Sequence, residues 1–131
     1  MESKVLKSTE QLPLTKFAIG NDLVFVPDFK HSLTDEFKGK VYTPDEIAYC
    51  NLFDDALLRY ASTWAAKEAV YKAVKQIHPA ALAFKKIEIT RDKIGGQPRV
   101  IINQPGLPDL NISLTITHDG AYAWAIALVE K

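Results

Sequence analysis

The run from Trp64 to Lys75 limits the folds open to this chain more than any other stretch. It contains neither glycine nor proline. Ala66, Ala69, Val70, Ala73, Val74 and Ile77 recur at i, i+3, i+4 and i+7 spacing, which predicts a helix with one continuous apolar face toward a core. Glu68 and Lys72 project from the opposite face at about 100° per residue, and Ala61, Trp64 and Ala65 share that face near its N-terminal half. A carboxylate with apolar neighbours is partly desolvated, at a cost on the order of several kcal/mol, so a half-buried Glu68 needs a partner. Two readings are open for the pair. It is either a solvated i,i+4 ion pair contributing about 0.2 to 0.5 kcal/mol, or a carboxylate that holds a cation beside a lysine.

The length of 131 residues predicts one domain with a real core, short for an enzyme that closes a cleft by itself, which favours a site shared between subunits. Residues 1–15 read as a weakly structured arm and residues 16–131 as the domain. Lys plus Arg and Asp plus Glu both number 16, so no broad basic field argues for nucleic acid or an anionic membrane, and neither is expected as a partner. The single cysteine, Cys50, excludes an intramolecular disulfide and a cysteine-rich zinc site. With no apolar signal core or membrane span at its start, the chain is expected to be soluble and cytoplasmic.

The remaining elements assemble around the helix. Phe17 to Val26 reads as a strand interrupted by Gly20 and Asp22; the glycine marks a bulge or the close approach of another group, and the alternative is a turn after Ile19 that exposes Asn21 and Asp22. Phe29 to Lys40 is a mixed segment with Lys30, Lys38 and Lys40. Thr43-Pro44-Asp45-Glu46 combines a cap, a proline at the first helical position and a capping-box glutamate, so a helix to about Phe53 is expected. Asp54 or Asp55 caps the long helix, which proline stops near His78-Pro79. Phe84 to Thr90 and Arg99 to Ile102 form a hairpin turned by Gly95-Gly96-Gln97-Pro98.

Ile112 to His118 and Ala121 to Val129 form a second hairpin about Asp119-Gly120, in which His118 would pair with Ala121 and Ile116 with Ala123. One of its faces is small and aliphatic, able to receive the alanine stripe of the helix. The other carries Thr115, Thr117, Tyr122, Trp124 and Ile126, too apolar for free solvent.

Four segments, in order, resemble those of the 4'-phosphopantetheinyl transferases, in particular the short holo-[acyl carrier protein] synthase type. They are Ile19-Gly20-Asn21-Asp22, Tyr42-Thr43-Pro44-Asp45-Glu46-Ile47-Ala48-Tyr49-Cys50, Lys67-Glu68-Ala69-Val70-Tyr71-Lys72-Ala73, and Ser113 to Ala125 with His118 and Tyr122-Ala123. Phe84 to Ile89 and Gly96 to Val100 also resemble the family's hairpin. The chain departs from the pattern after the helix, where the synthases carry Gly-Thr-Gly and this sequence runs Val74-Lys75-Gln76-Ile77-His78-Pro79.

The resemblance implies an α+β fold, an antiparallel sheet packed against a long central helix, with magnesium-dependent transfer of 4'-phosphopantetheine from coenzyme A, the co-substrate, to a serine of an acyl carrier protein. It implies that Asp22 and Glu68 bind Mg2+, that Lys72 pairs with phosphate or helps to deprotonate the serine, and that His118 binds or orients phosphate. Arg59, Lys67 and Lys75 are the other candidates for the cofactor phosphates, with solvated side chains as the alternative reading. Lys30, Lys38 and Lys40 stand where the family meets its carrier. The family further implies a homotrimer with the site between subunits. Cys50, in a capped helix with no histidine nearby in sequence, is given no catalytic role. Two alternatives come from other classes: a hot-dog-type acyl-CoA thioesterase, and a related domain that binds coenzyme A or a carrier without turnover.

Overall fold

The computed structural model describes residues 16–131; the expected N-terminal arm lies outside the described residues. Strand β1 (Phe17–Phe25) leads into three short helices, α1 (Val26–Ser32), α2 (Asp35–Val41) and α3 (Pro44–Cys50). The long helix α4 (Ala56–Ile77) follows, then a 3-10 turn (Phe84–Lys86), the hairpin β2 (Ile87–Arg91) and β3 (Pro98–Ile102), and the hairpin β4 (Asn111–Asp119) and β5 (Tyr122–Glu130). Thr43 and Glu46 close the expected capping box of α3, and Asp55 caps α4 by accepting from the Leu58 N–H at 3.1 Å. The strands form two sheets, a β1-β5-β4 antiparallel sheet and the separate β2-β3 pair.

Helix α4 lies across one face of the larger sheet, and small residues let it come close. Ala18, Gly20 and Val24 of β1 and Ala123, Ala125, Ala127 and Val129 of β5 form the buried face opposite Ala65, Ala69 and Ala73. A Cβ on Gly20 would stand 2.0 Å from the Ala69 carbonyl oxygen, so this glycine is where strand and helix backbones meet. It is not a bulge: β1 pairs with β5 residue by residue from Phe17 to Phe25, and the turn considered after Ile19 is absent.

On its other side α4 meets the short helices and the 3-10 turn through aromatic contacts, with Trp64 5.2 Å from Phe37 and 4.8 Å from Phe84 between ring centroids. Enclosed from both sides, the helix buries far more than its alanine stripe, including Tyr60, Thr63 and Lys67.

The C-terminal hairpin differs from expectation in its register. His118 pairs with Ala123, Ile116 with Ala125 and Asp119 with Tyr122, so the turn residues are Gly120 and Ala121. Gly120 has φ +56° and no non-glycine residue has positive φ among the described residues, which suits a turn needing one left-handed residue and not two. The slip is by two residues and therefore keeps every side chain on its expected face. Elsewhere α3 stops at Cys50, short of the expected Phe53, and Phe84 begins a 3-10 turn in place of a strand.

The sheet face away from α4 is apolar and open. Leu23 and Ile19 are each 59% exposed, Tyr122 and Trp124 each 46%. No helix among the described residues is long and apolar enough to cross a membrane.

Candidate active site

Asp22 reaches the helix because Gly20, two residues earlier, brings β1 against α4. Residues Gly20, Asp22 and Val24 share one face of the strand. The Lys72 ammonium donates to Asp22 Oδ1 at 2.8 Å and to the Asn21 carbonyl oxygen at 3.2 Å. Glu68, one turn before Lys72, is half-buried beside Asp22. The lysine's ion-pair partner is thus the strand aspartate across the gap, and the simple solvated Glu68–Lys72 pair is not what forms.

The charges of the cluster do not balance. Burial, then the hydrogen bond that its protonated form donates to Asp22 and repulsion by the Asp22 carboxylate, push the Glu68 carboxyl from 4.5 up to about 7, with Lys72 pulling the other way. The hydrogen bond to Asp22 raises the Lys72 pKa, so its ammonium is held in the charged form. Two adjacent carboxylates share one ammonium, and a further cation would relieve the excess. No group of three or more His, Cys, Asp or Glu side chains converges among the described residues. The donor set is therefore two carboxylates, which suits a hard cation that completes its shell with water and ligand oxygens.

The other predicted residues lie elsewhere. Arg59 and Glu68 are nine positions apart on α4, which puts them about 180° apart around the helix. Arg59 faces a cavity of about 340 Å³ that it lines with Arg91, Ser62, His118, Gly96 and Pro98, among others. No acidic side chain lines this cavity among the described residues. Both guanidinium groups are stacked on rings, Arg59 at 3.9 Å from the Phe53 centroid and Arg91 at 4.7 Å from that of Tyr49. The Gly95 N–H donates to the Tyr49 hydroxyl at 3.1 Å, which ties the β2-β3 turn to α3. The cavity is a preorganised cationic hollow, able to take a phosphate.

One chain does not bring these two groups together. Asp22 is on the β1 edge of the sheet and His118 on the β4 edge, with β5 between them.

Two expected phosphate partners are committed to the protein itself. Lys67 is fully buried, its ammonium bound to Glu46 Oε1 at 2.6 Å and to the Ile87 carbonyl oxygen. No ligand reaches it, and its assignment to the cofactor is corrected on that ground. Lys75 donates to the carbonyl oxygens of Pro79 and Ala80, at 3.1 and 2.8 Å, and orders the loop that stands where the synthases carry Gly-Thr-Gly. Cys50 is a core thiol 3.7 Å from the Thr63 hydroxyl, and burial pushes its pKa up to about 11, against thiolate chemistry.

Sequence reasoning missed Arg91, and its only signal was its place beside the Gly95-Gly96 turn.

The 4'-phosphopantetheinyl transferase superfamily model matches residues 18–127. The chain belongs to that superfamily. It is 34% identical to the holo-[acyl-carrier-protein] synthase of Aquifex aeolicus over 120 residues, covering 86% of this chain and 98% of the relative. Among solved structures, the ACPS-CoA complex of Chronobacterium ammoniagenes matches with a TM-score of 0.76 at 28% identity, over 88% of this chain and 98% of that one. The acyl carrier protein synthase of Mycobacterium tuberculosis matches with a TM-score of 0.68 at 32% identity, over 86% and 96%. The transferase fold and membership set the thioesterase alternative aside.

Proposed function

We propose that this transferase moves 4'-phosphopantetheine from coenzyme A to a serine hydroxyl of an apo acyl carrier protein, with Mg2+ held by Asp22 and Glu68, and releases adenosine 3',5'-bisphosphate. In the reaction the serine oxygen bonds to the phosphorus that carries pantetheine, the bond from that phosphorus to the oxygen of the 5'-phosphate breaks, and the hydroxyl proton passes to water. The observation that carries the reading is the convergence of Asp22, Glu68 and Lys72 at the point where β1 touches α4, in a chain of this family.

Bound there, magnesium would neutralise the pyrophosphate and the charge that grows on the leaving phosphate. Lys72 contributes a fixed positive charge next to the same oxygens. Its raised pKa supports electrostatic pairing with phosphate over the other role considered for it, accepting the serine proton. Arg59, His118 and Arg91 line a hollow suited to the phosphate on the ribose.

Carboxylates and cationic hollow sit on opposite flanks of α4, which supports a complete site made by two copies, one contributing Asp22, Glu68 and Lys72 and the next Arg59 and His118. The exposed apolar sheet face supplies a contact surface for such an assembly, read as a homotrimer. Lys30, Lys38 and Lys40 remain the candidates for docking an acidic carrier. Lys40 is also paired with Glu36 at 3.0 Å, and Lys38 lies over the Tyr60 ring.

Incubation with coenzyme A, magnesium and a panel of apo-carriers, read by intact mass, tests the proposal. The phosphopantetheine adduct should appear on a carrier and be lost with a chelator. Binding of coenzyme A without an adduct on any carrier would favour the non-catalytic module.

A further inference from the structure

The Lys67 ammonium joins three different elements. Glu46 belongs to α3, Lys67 to α4 and Ile87 to β2. Glu46 extends the connection, since its Oε1 also accepts from the Thr43 N–H at 2.9 Å and its Oε2 from the Ile89 N–H at 2.8 Å. The Ile87 carbonyl and the Ile89 N–H both point away from β3, along the β2 edge where a further strand would otherwise pair. Two side chains thus satisfy that edge, and no buried side-chain polar atom among the described residues lacks a partner.

The arrangement is costly as a source of stability alone. Burial lowers the Lys67 pKa against the pull of Glu46, and a buried ion pair can often be replaced by uncharged side chains without loss. What the pair does fix is geometry. The β2-β3 hairpin is a two-stranded unit with no ladder to the main sheet, a type of element marginal by itself. That hairpin supplies Arg91 and the Gly95-Gly96 turn to the cationic cavity, α4 supplies Arg59, and α3 supplies Tyr49 beneath Arg91. These three walls are the elements that Glu46 and Lys67 join.

We infer that Glu46 and Lys67 are positioning residues for the cofactor: a buried ion pair that sets hairpin and α3 against α4 so that Arg91 and Arg59 face the same bound phosphate. The inference rests on the reading of the cavity as the nucleotide end of the coenzyme A site. Its signature is a selective loss of cofactor affinity, since Asp22, Glu68 and Lys72 lie on the other flank of the helix.

The test is the double variant Glu46→Gln/Lys67→Met, which removes both buried charges together, compared with Arg59→Ala. The double variant should melt in one transition near the parent, raise KM for coenzyme A by at least about tenfold, weaken inhibition by adenosine 3',5'-bisphosphate in parallel, and change kcat less than about twofold. A folded double variant with the parent's KM and inhibition constant overturns the inference while Arg59→Ala still raises KM. If Arg59→Ala leaves KM unchanged, the cavity reading itself has failed and the inference goes with it. Should the double variant not fold, Glu46→Asp takes its place, keeping the charge but shortening the reach: a raised KM supports the positioning role and a parental KM overturns it.

Discussion

At the scale of single residues the site is a problem of charge. Without a divalent cation, Glu68 holds its proton up to about pH 7, against 4.5 for an ordinary glutamate, first because it is half-buried and then because Asp22 stands beside it. Between those values the folded chain binds more protons at this position than the unfolded chain, so stability falls as pH rises through the window and the loss is complete above it. Glu68→Gln removes the titration. The variant should match the parent's melting temperature near pH 4 and exceed it at pH 8, and magnesium at pH 8 should raise the melting temperature of the parent only. Its transfer activity should fall by at least about 100-fold, since the variant gives up one of the two proposed ligands to the cation. Equal melting at both pH values would show that the carboxyl is solvated.

The sequence revealed Glu68 because apolar neighbours around a carboxylate are visible on a helical wheel. It misplaced Lys67, although the signal was present: Lys67, Val70 and Val74 fall at i, i+3 and i+7, so the lysine sits on the apolar stripe. Its partner Glu46 is 21 residues away and already has a complete local explanation in the capping box, which hid its second role.

At the scale of elements the decisive contact is β1 on α4. Gly20→Ala would drive a methyl group against the Ala69 carbonyl and the Ala73 N–H, at 2.0 and 2.8 Å, with backbone on both sides and no flexible side chain to yield. The expected cost is more than about 3 kcal/mol, and any folded fraction should have lost cation affinity, because Asp22 moves away from Glu68 with the strand. Denaturant melts and a magnesium titration followed by thermal shift measure the two effects; a variant as stable as the parent would mean that strand and helix do not meet backbone to backbone at this glycine. Local signals carried most element boundaries, since caps, prolines and alternation are short-range. They left Gly20 as a bulge or a close approach because only the packed helix distinguishes the two. They also put Asp119 in the turn, since the identity of a turn pair does not reveal which residue carries the positive φ.

At the scale of the whole molecule, the two parts of the proposed site face away from each other. Asp22, Glu68 and Lys72 occupy one flank of α4, and Arg59 and His118 the other, so a complete site made by two copies predicts that different defects can compensate. On the proposed reading Glu68→Gln lacks a cation ligand and Arg59→Ala/His118→Ala lacks the phosphate hollow, and each preparation alone should be nearly inactive. Mixed in equal amounts and allowed to exchange subunits, the two should regain activity: a site works only where a copy with intact Glu68 meets a neighbour with intact Arg59 and His118, about one site in four for random mixing in a closed ring. Sedimentation equilibrium on the parent distinguishes a trimer from a dimer. Leu23→Asp/Trp124→Asp, placed on the sheet face away from both flanks, should yield monomers that neither complement nor turn over, because in the proposed assembly the same exposed apolar surface that needs covering holds the two half-sites in register. A mixture that stays inactive although subunits exchange, or an active monomer, would put the whole site within one chain.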